Sequence, residues 1–133
     1  MEESFGKEYK LCSQKEIEAI FKNGRSLRSY PFSLHYLQTH PIKTDSPSFR
    51  IVISAPKKIF RRAHERNRIK RLLRETIRKN KLPLEEFLKE KGIQMALFVI
   101  YTSREEMPFT VLERKTNKLV NQLIEALKYE EHH

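Results

Sequence analysis

Tryptophan is absent from the 133 residues, cysteine occurs once and glycine only three times. The single cysteine, Cys12, excludes an intrachain disulfide and a multi-cysteine zinc site, and it fits a reducing, cytoplasmic setting. So few glycines leave no Gly-rich loop to cradle a phosphate. Long apolar runs are missing too. The longest, Met95 to Tyr101, has seven residues, against the roughly 20 that a membrane span needs. The opening MEESFGKEYK has no apolar stretch of the secretory kind, so no secretory signal is read there; with apolar runs this short, no membrane partner is expected. The length suits one domain rather than a two-domain cofactor enzyme. It is read as a single unit over residues 1–133, with an ordered core over about 9–129 and a tail over 130–133. His132 and His133 carry no part of the functional argument.

Acidic residues are also scarce: 17 Asp and Glu face 27 Lys and Arg, a formal charge of +10. Between Lys57 and Lys81 lie Lys57, Lys58, Arg61, Arg62, Arg66, Arg68, Lys70, Arg71, Arg74, Arg78, Lys79 and Lys81, against only Glu65 and Glu75. The remaining 108 residues hold fifteen bases and fifteen acids, so the whole excess sits in one stretch of 25. Solubility does not require such segregation. It points to an anionic partner, nucleic acid ahead of an acidic membrane surface.

Ser13-Gln14-Lys15-Glu16 has the form of a capping box, and Ile17, Ile20 and Phe21 follow as one apolar stripe of a short helix. Asn23-Gly24 is expected to stop it, with Gly24 in the left-handed C′ conformation. One long strand is predicted from about Ser26 to Gln38, with Phe32, Leu34 and Tyr36 on one face and Ser33, His35 and Leu37 on the other. After a polar loop from Pro41 to Pro47, a strand from Phe49 to Ala55 sets Ile51 and Ile53 against Arg50, Val52 and Ser54, and Pro56 ends it. A helix over about Arg62–Asn80 comes next, then a short one from Leu82 to Lys91 stopped by Gly92. Ile93–Tyr101 reads as a central strand buried on both faces. Thr110-Val111-Leu112-Glu113 repeats the capping-box pattern ahead of a helix whose apolar face holds Leu112, Leu119, Val120, Leu123, Ile124 and Leu127. The order α-β-β-α-α-β-α describes a small α/β, α+β-like domain with a mixed sheet.

At 100° per residue, Ile69, Leu72, Leu73, Thr76 and Ile77 converge on one side of the basic helix. Asn67, Lys70, Arg71, Arg74 and Arg78 lie opposite, with Arg66 and Arg68 on the flanks. Guanidinium forks donate two parallel bonds to a phosphate, and the Asn67 amide can both donate and accept at a 2′-OH or a base edge. Like charges at i, i+4 (Arg66/Lys70, Lys70/Arg74, Arg74/Arg78) cost a few tenths of a kcal/mol each in a free helix, a cost that a phosphate array removes. On these residues alone a groove-binding DNA or ribosomal module stays open, since Arg and Asn also read major-groove edges. A calmodulin-type or membrane-surface helix stays open as well, although the core consumes its apolar side.

No catalytic constellation stands out in the protein. His64-Glu65 lacks a partner at recognisable spacing, and His35, His40 and Asp45 form no zinc pattern.

The run Ala63-His64-Glu65-Arg66-Asn67-Arg68-Ile69-Lys70-Arg71-Leu72-Leu73-Arg74-Glu75, with Lys57-Lys58 ahead of it, resembles the signature of the protein subunit of bacterial ribonuclease P. Ile20-Phe21-Lys22-Asn23-Gly24, Phe32 and Leu34 extend the resemblance, which covers about residues 9–128 in element order. It implies parallel strands flanking the basic helix, joined by a left-handed crossover. It also implies that Lys57, Lys58, Arg61, Arg62, Arg66, Asn67, Arg68, Lys70, Arg71, Arg74 and Arg78 bind a catalytic RNA. A cleft holding the 5′ leader of precursor tRNA is implied for Ile17, Phe21, Phe32, His35, Tyr36, Arg50 and Ser54, though by their own pattern Ile17, Phe21, Phe32 and Leu34 suit a core better than a ligand platform. The RNA and its Mg²⁺ would cut the phosphodiester, the protein binding no cofactor of its own and being monomeric outside the holoenzyme. Val52 stands where the family often has Gly, and His64 where it often has Val.

Overall fold

The computed structural model describes residues 14–39 and 48–132, with side chains to 130. Cys12, the Ser13 cap, His40, Asp45 and the Pro41–Pro47 loop lie outside the described residues.

The elements run α1 (Gln14–Asn23), β1 (Arg25–Ser29), β2 (Phe32–Thr39), β3 (Phe49–Ser54), α2 (Ala63–Asn80), α3 (Leu82–Lys91), β4 (Gln94–Tyr101) and α4 (Phe109–His132). The four strands form one mixed sheet in the order β1-β2-β4-β3. β1 pairs antiparallel with β2, β2 antiparallel with β4, and β3 parallel with β4. The parallel pair is joined through α2 and α3, as a parallel pair requires a long crossover.

Alternation decides what each face of the sheet does. Phe32, Leu34 and Tyr36 of β2, Phe49, Ile51 and Ile53 of β3, and Met95, Leu97, Val99 and Tyr101 of β4 point one way into the main core. There they meet Ile69, Leu73 and Ile77 of α2, Leu84 and Leu88 of α3, and Leu112, Leu119, Val120 and Leu123 of α4. Among the described residues, the opposite face carries only α1, whose Ile20 packs on Ala96 with Ile17, Leu37, Val52 and Phe98 around it. At the α2–α4 contact, Thr116 Oγ1 donates to Thr76 Oγ1 (3.0 Å), which donates to the Leu73 carbonyl (3.0 Å). Both threonines are fully buried, so this relay satisfies polar atoms that would otherwise be costly to bury.

Four expectations are corrected. The predicted strand Ser26–Gln38 is two strands, because the chain reverses at Tyr30-Pro31 and Pro31 has no N–H for a ladder; the order is therefore α-β-β-β-α-α-β-α. Gly24 does end α1, its N–H donating to the Ile20 carbonyl (2.8 Å), but among the described residues Gly92 is the glycine with positive φ. Gly24 is required by crowding instead: a Cβ there would lie 2.5 Å from the backbone oxygens of Ile20 and Tyr36. Thr110 lies inside α4 and is not its cap; the Pro108 carbonyl accepts from Val111 and Leu112 at the helix start. The expected tail at 130–133 is helical to His132. Glu130 accepts from the Tyr36 hydroxyl (3.0 Å) and pairs with Arg25 (2.7 Å). Burial and that bond to Glu130 push the Tyr36 phenol up to about 12.

Candidate nucleic-acid interface

The basic segment begins where β3 ends. The Pro56 carbonyl accepts from Ile59 (3.1 Å) and Phe60 (3.0 Å), folding a turn that leaves Lys57 and Lys58 exposed while Phe60 plugs into the core beside Tyr101. α2 then buries Ile69, Leu73, Thr76 and Ile77, with Leu72 half-buried against the same core. The opposite side presents Asn67, Arg71 and Arg74, with Lys70 half-buried beside them. Arg61 and Arg62 are exposed at the helix entry. Among the described residues, the guanidinium groups of Arg61, Arg62, Arg71 and Arg74 enter no ion pair.

Three arginines expected to bind RNA, Arg78 on the outward side and Arg66 and Arg68 on the flanks, have partners within the fold. Arg66 donates from Nη1 to the carbonyls of Phe60 (2.8 Å) and Arg61 (2.9 Å), clamping the turn to the helix. Arg68 forms a two-pronged pair with Glu106, Nε and Nη2 each 2.7 Å from a carboxylate oxygen. Arg78 pairs with Glu75 one turn back, and that hydrogen bond holds the Glu75 carboxyl below its ordinary value. These partners set side-chain direction. The exposed, unpaired charge is concentrated on Lys57, Lys58, Arg61, Arg62, Arg71 and Arg74.

The second candidate surface is the sheet face under α1. Register places three rows across it: Leu37–Ala96–Arg50, His35–Phe98–Val52 and Ser33–Ile100–Ser54. α1 covers the first row through Ile20 and reaches the second through Phe21, whose ring lies 4.7 Å from His35 and 5.0 Å from Phe98. Phe21 is nevertheless 50% exposed, and Ile17, His35, Arg50 and Ser54 are half-buried. Arg50 is tied to Glu16 of α1 (3.5 Å). Burial, and then the Arg28 charge, hold His35 below the usual histidine range.

Phe32 and Tyr36, expected in the cleft, are not on this face. At 2% and 5% exposure they belong to the main core, because even positions of β2 point away from α1. Arg28, Phe98 and Ile100 lie on the face and were missed; Val52, expected on the side of Arg50 and Ser54, is there but was not counted among the cleft residues. Arg28 pairs with Ser33 across the hairpin and so shares its side of the sheet. No group of three His, Cys, Asp or Glu side chains suited to a metal occurs among the described residues, and no described helix is long and apolar enough to cross a membrane.

A family model described as Ribonuclease P matches residues 5–124. The chain belongs to the ribonuclease P protein family. Its relatives include the ribonuclease P protein component of Porphyromonas gingivalis, 34% identical over 114 residues that cover 84% of this chain and 80% of that one. The corresponding component of Chlorobium phaeobacteroides is 30% identical over 121 residues, covering 85% and 83%. Among solved structures, the ribonuclease P protein of Thermotoga maritima matches with a TM-score of 0.63 at 23% identity, covering 85% of this chain and 96% of that one. That of Staphylococcus aureus matches with 0.60 at 21%, covering 86% and 94%. These likenesses establish the mixed four-stranded sheet with its helices as the fold of a ribonuclease P protein. In this member of the family, the Arg66-Asn67-Arg68 triplet divides its roles: Arg66 and Arg68 brace the helix to its surroundings, and Asn67 stays exposed between them.

Proposed function

We propose that this chain is the protein component of a ribonuclease P holoenzyme that removes the 5′ leader of precursor tRNA in the cytoplasm. The exposed basic side of α2 and the turn before it bind the catalytic RNA. The face under α1 receives the single-stranded leader, Phe21 and its neighbours His35 and Phe98 offering rings for bases to stack on. Phosphodiester cleavage is assigned to the RNA and its Mg²⁺. The protein contributes affinity for the substrate and supports the RNA's active form, and it is monomeric outside that assembly.

The observation that carries this reading is the exposure of Arg61, Arg62, Arg71 and Arg74 without carboxylate partners, on a helix whose apolar side is spent in the core. A free-standing amphipathic helix would keep its apolar side for lipid or a partner groove; here that side is buried. Adding the chain to a bacterial ribonuclease P RNA at low Mg²⁺ is expected to restore precursor-tRNA cleavage. Arg71→Ala combined with Arg74→Ala is expected to raise the protein concentration needed. Absence of stimulation at every salt concentration would overturn the reading.

A further inference from the structure

The basic motif and the α1 cleft leave unused the outer side of α4, where three amides are linked in one direction. The Asn80 Nδ2 donates to the Thr76 carbonyl (2.7 Å), Asn117 Nδ2 donates to Asn80 Oδ1 (3.3 Å), and Asn121 Nδ2 donates to Asn117 Oδ1 (3.1 Å). The direction is not arbitrary. A backbone carbonyl can only accept, so Asn80 must turn its NH₂ toward Thr76, and each later amide is oriented by the one before it. Thr76 is itself immobilised in the buried pair with Thr116. The chain of bonds therefore starts in the core and ends at the surface, where Asn121 Oδ1 accepts from no group among the described residues.

This acceptor sits in a shallow, open groove of about 420 Å³ lined by Arg114, Asn117, Lys118, Asn121, Gln122 and Glu125. Arg114 and Lys118 are exposed one helical turn apart and pair with no carboxylate among the described residues, while Glu125 is compensated by Lys128 (3.6 Å). Two free cations beside an oriented acceptor complement phosphates beside a hydroxyl donor. Ribose presents that combination and deoxyribose does not. Paired RNA displays it along a wide, shallow minor groove that a helix face can approach.

We propose that the outer side of α4, built on the Asn80–Asn117–Asn121 amide relay and flanked by Arg114 and Lys118, is a second RNA-docking surface. It grips the sugar–phosphate backbone of paired RNA and distinguishes ribose from deoxyribose. The inference rests on the RNA partner proposed above and adds a surface that lies outside the basic motif.

The test compares binding of the full chain to a blunt RNA duplex and to a DNA duplex of the same sequence, by fluorescence anisotropy at one moderate salt concentration. The unmodified chain is expected to prefer RNA. Asn117→Ala with Asn121→Ala should reduce that preference by roughly fivefold to tenfold, the scale of one or two net hydrogen bonds. Asn121→Ala alone, which leaves the inner bonds of the relay in place, should produce part of the same loss. The proposal is overturned if the unmodified chain shows no preference, or if the double variant retains all of it. It is equally overturned if Arg114→Ala with Lys118→Ala weakens binding to polyglutamate as much as to RNA, which would mark a generic cationic surface open to acidic proteins. Precursor cleavage with ribonuclease P RNA, measured on the unmodified chain, reports separately on the holoenzyme reading.

Discussion

His35 shows how one side chain ties chemistry to the cleft. Its ring packs at a tilt against Phe21, shares a cross-strand row with Phe98 and Val52, and faces the Arg28 charge from the adjacent strand. Burial and Arg28 both disfavour its charged form, so its folded value lies below the ordinary 6.5. The linkage sign follows: the unfolded chain binds the proton more readily, so stability from this residue is present above pH 6.5 and is lost as the pH falls toward the folded value. An NMR titration of the ring protons should give a midpoint below 6.5, and Arg28→Ala should move it upward. A midpoint unmoved by that substitution would remove Arg28 as a cause. An anionic leader bound on this face favours the protonated ring, so the same titration repeated with a short single-stranded RNA should show an upward displacement.

At the level of elements, much of the fold could be read from residue pattern. The alternation of Phe32, Leu34 and Tyr36 and the stripe of α2 predict their buried faces, and those residues are buried apart from the half-buried Leu72. Face assignment failed where pattern is silent. Met95–Tyr101 is apolar throughout, so no alternation marks Phe98; only its register with His35 and Val52 puts it under α1. Arg28 was obscured by the missed hairpin: in one continuous strand it would share the side of Phe32, whereas the reversal at Tyr30-Pro31 moves it beside Ser33. Arg66 and Arg68 find partners that no helical wheel contains, a loop carbonyl and a carboxylate 38 residues away. Gly24 couples element to site. A Cβ there meets backbone oxygen of both α1 and β2, neither of which can move aside as a side-chain tip would. Gly24→Ala should therefore destabilise the protein by about 1–3 kcal/mol in urea unfolding, the usual cost of overpacking. By tilting α1 it should weaken binding of leader-bearing precursor tRNA more than of leaderless tRNA. Unchanged unfolding would show that α1 is free to shift.

For the whole molecule, the deciding quantity is how much of the +10 charge is available to a partner. A helical wheel places the arginines of α2 opposite the apolar side or on its flanks, but Arg66, Arg68 and Arg78 already satisfy carbonyls or carboxylates within the fold. Each of these adds to the general potential and keeps N–H donors to spare, but its direction is set by the internal bond, so a phosphate must meet it there or compete with that partner. Arg71 and Arg74 face no such competition among the described residues, and their aliphatic neighbours Leu73 and Ile77 hold the helix in place without them. Replacing both with alanine should leave thermal unfolding nearly unchanged. In binding to ribonuclease P RNA, the slope of log affinity against log salt should become shallower by about two, roughly one for each phosphate contact removed. Removing Arg68 should act differently. Its pair with Glu106 is exposed, so Arg68→Ala frees a carboxylate beside the RNA face and weakens binding through repulsion as well as through the lost cation. Replacing Glu106 with Gln in the Arg68→Ala background should recover part of that affinity, whereas a phosphate contact made by Arg68 alone would leave nothing for the second substitution to restore.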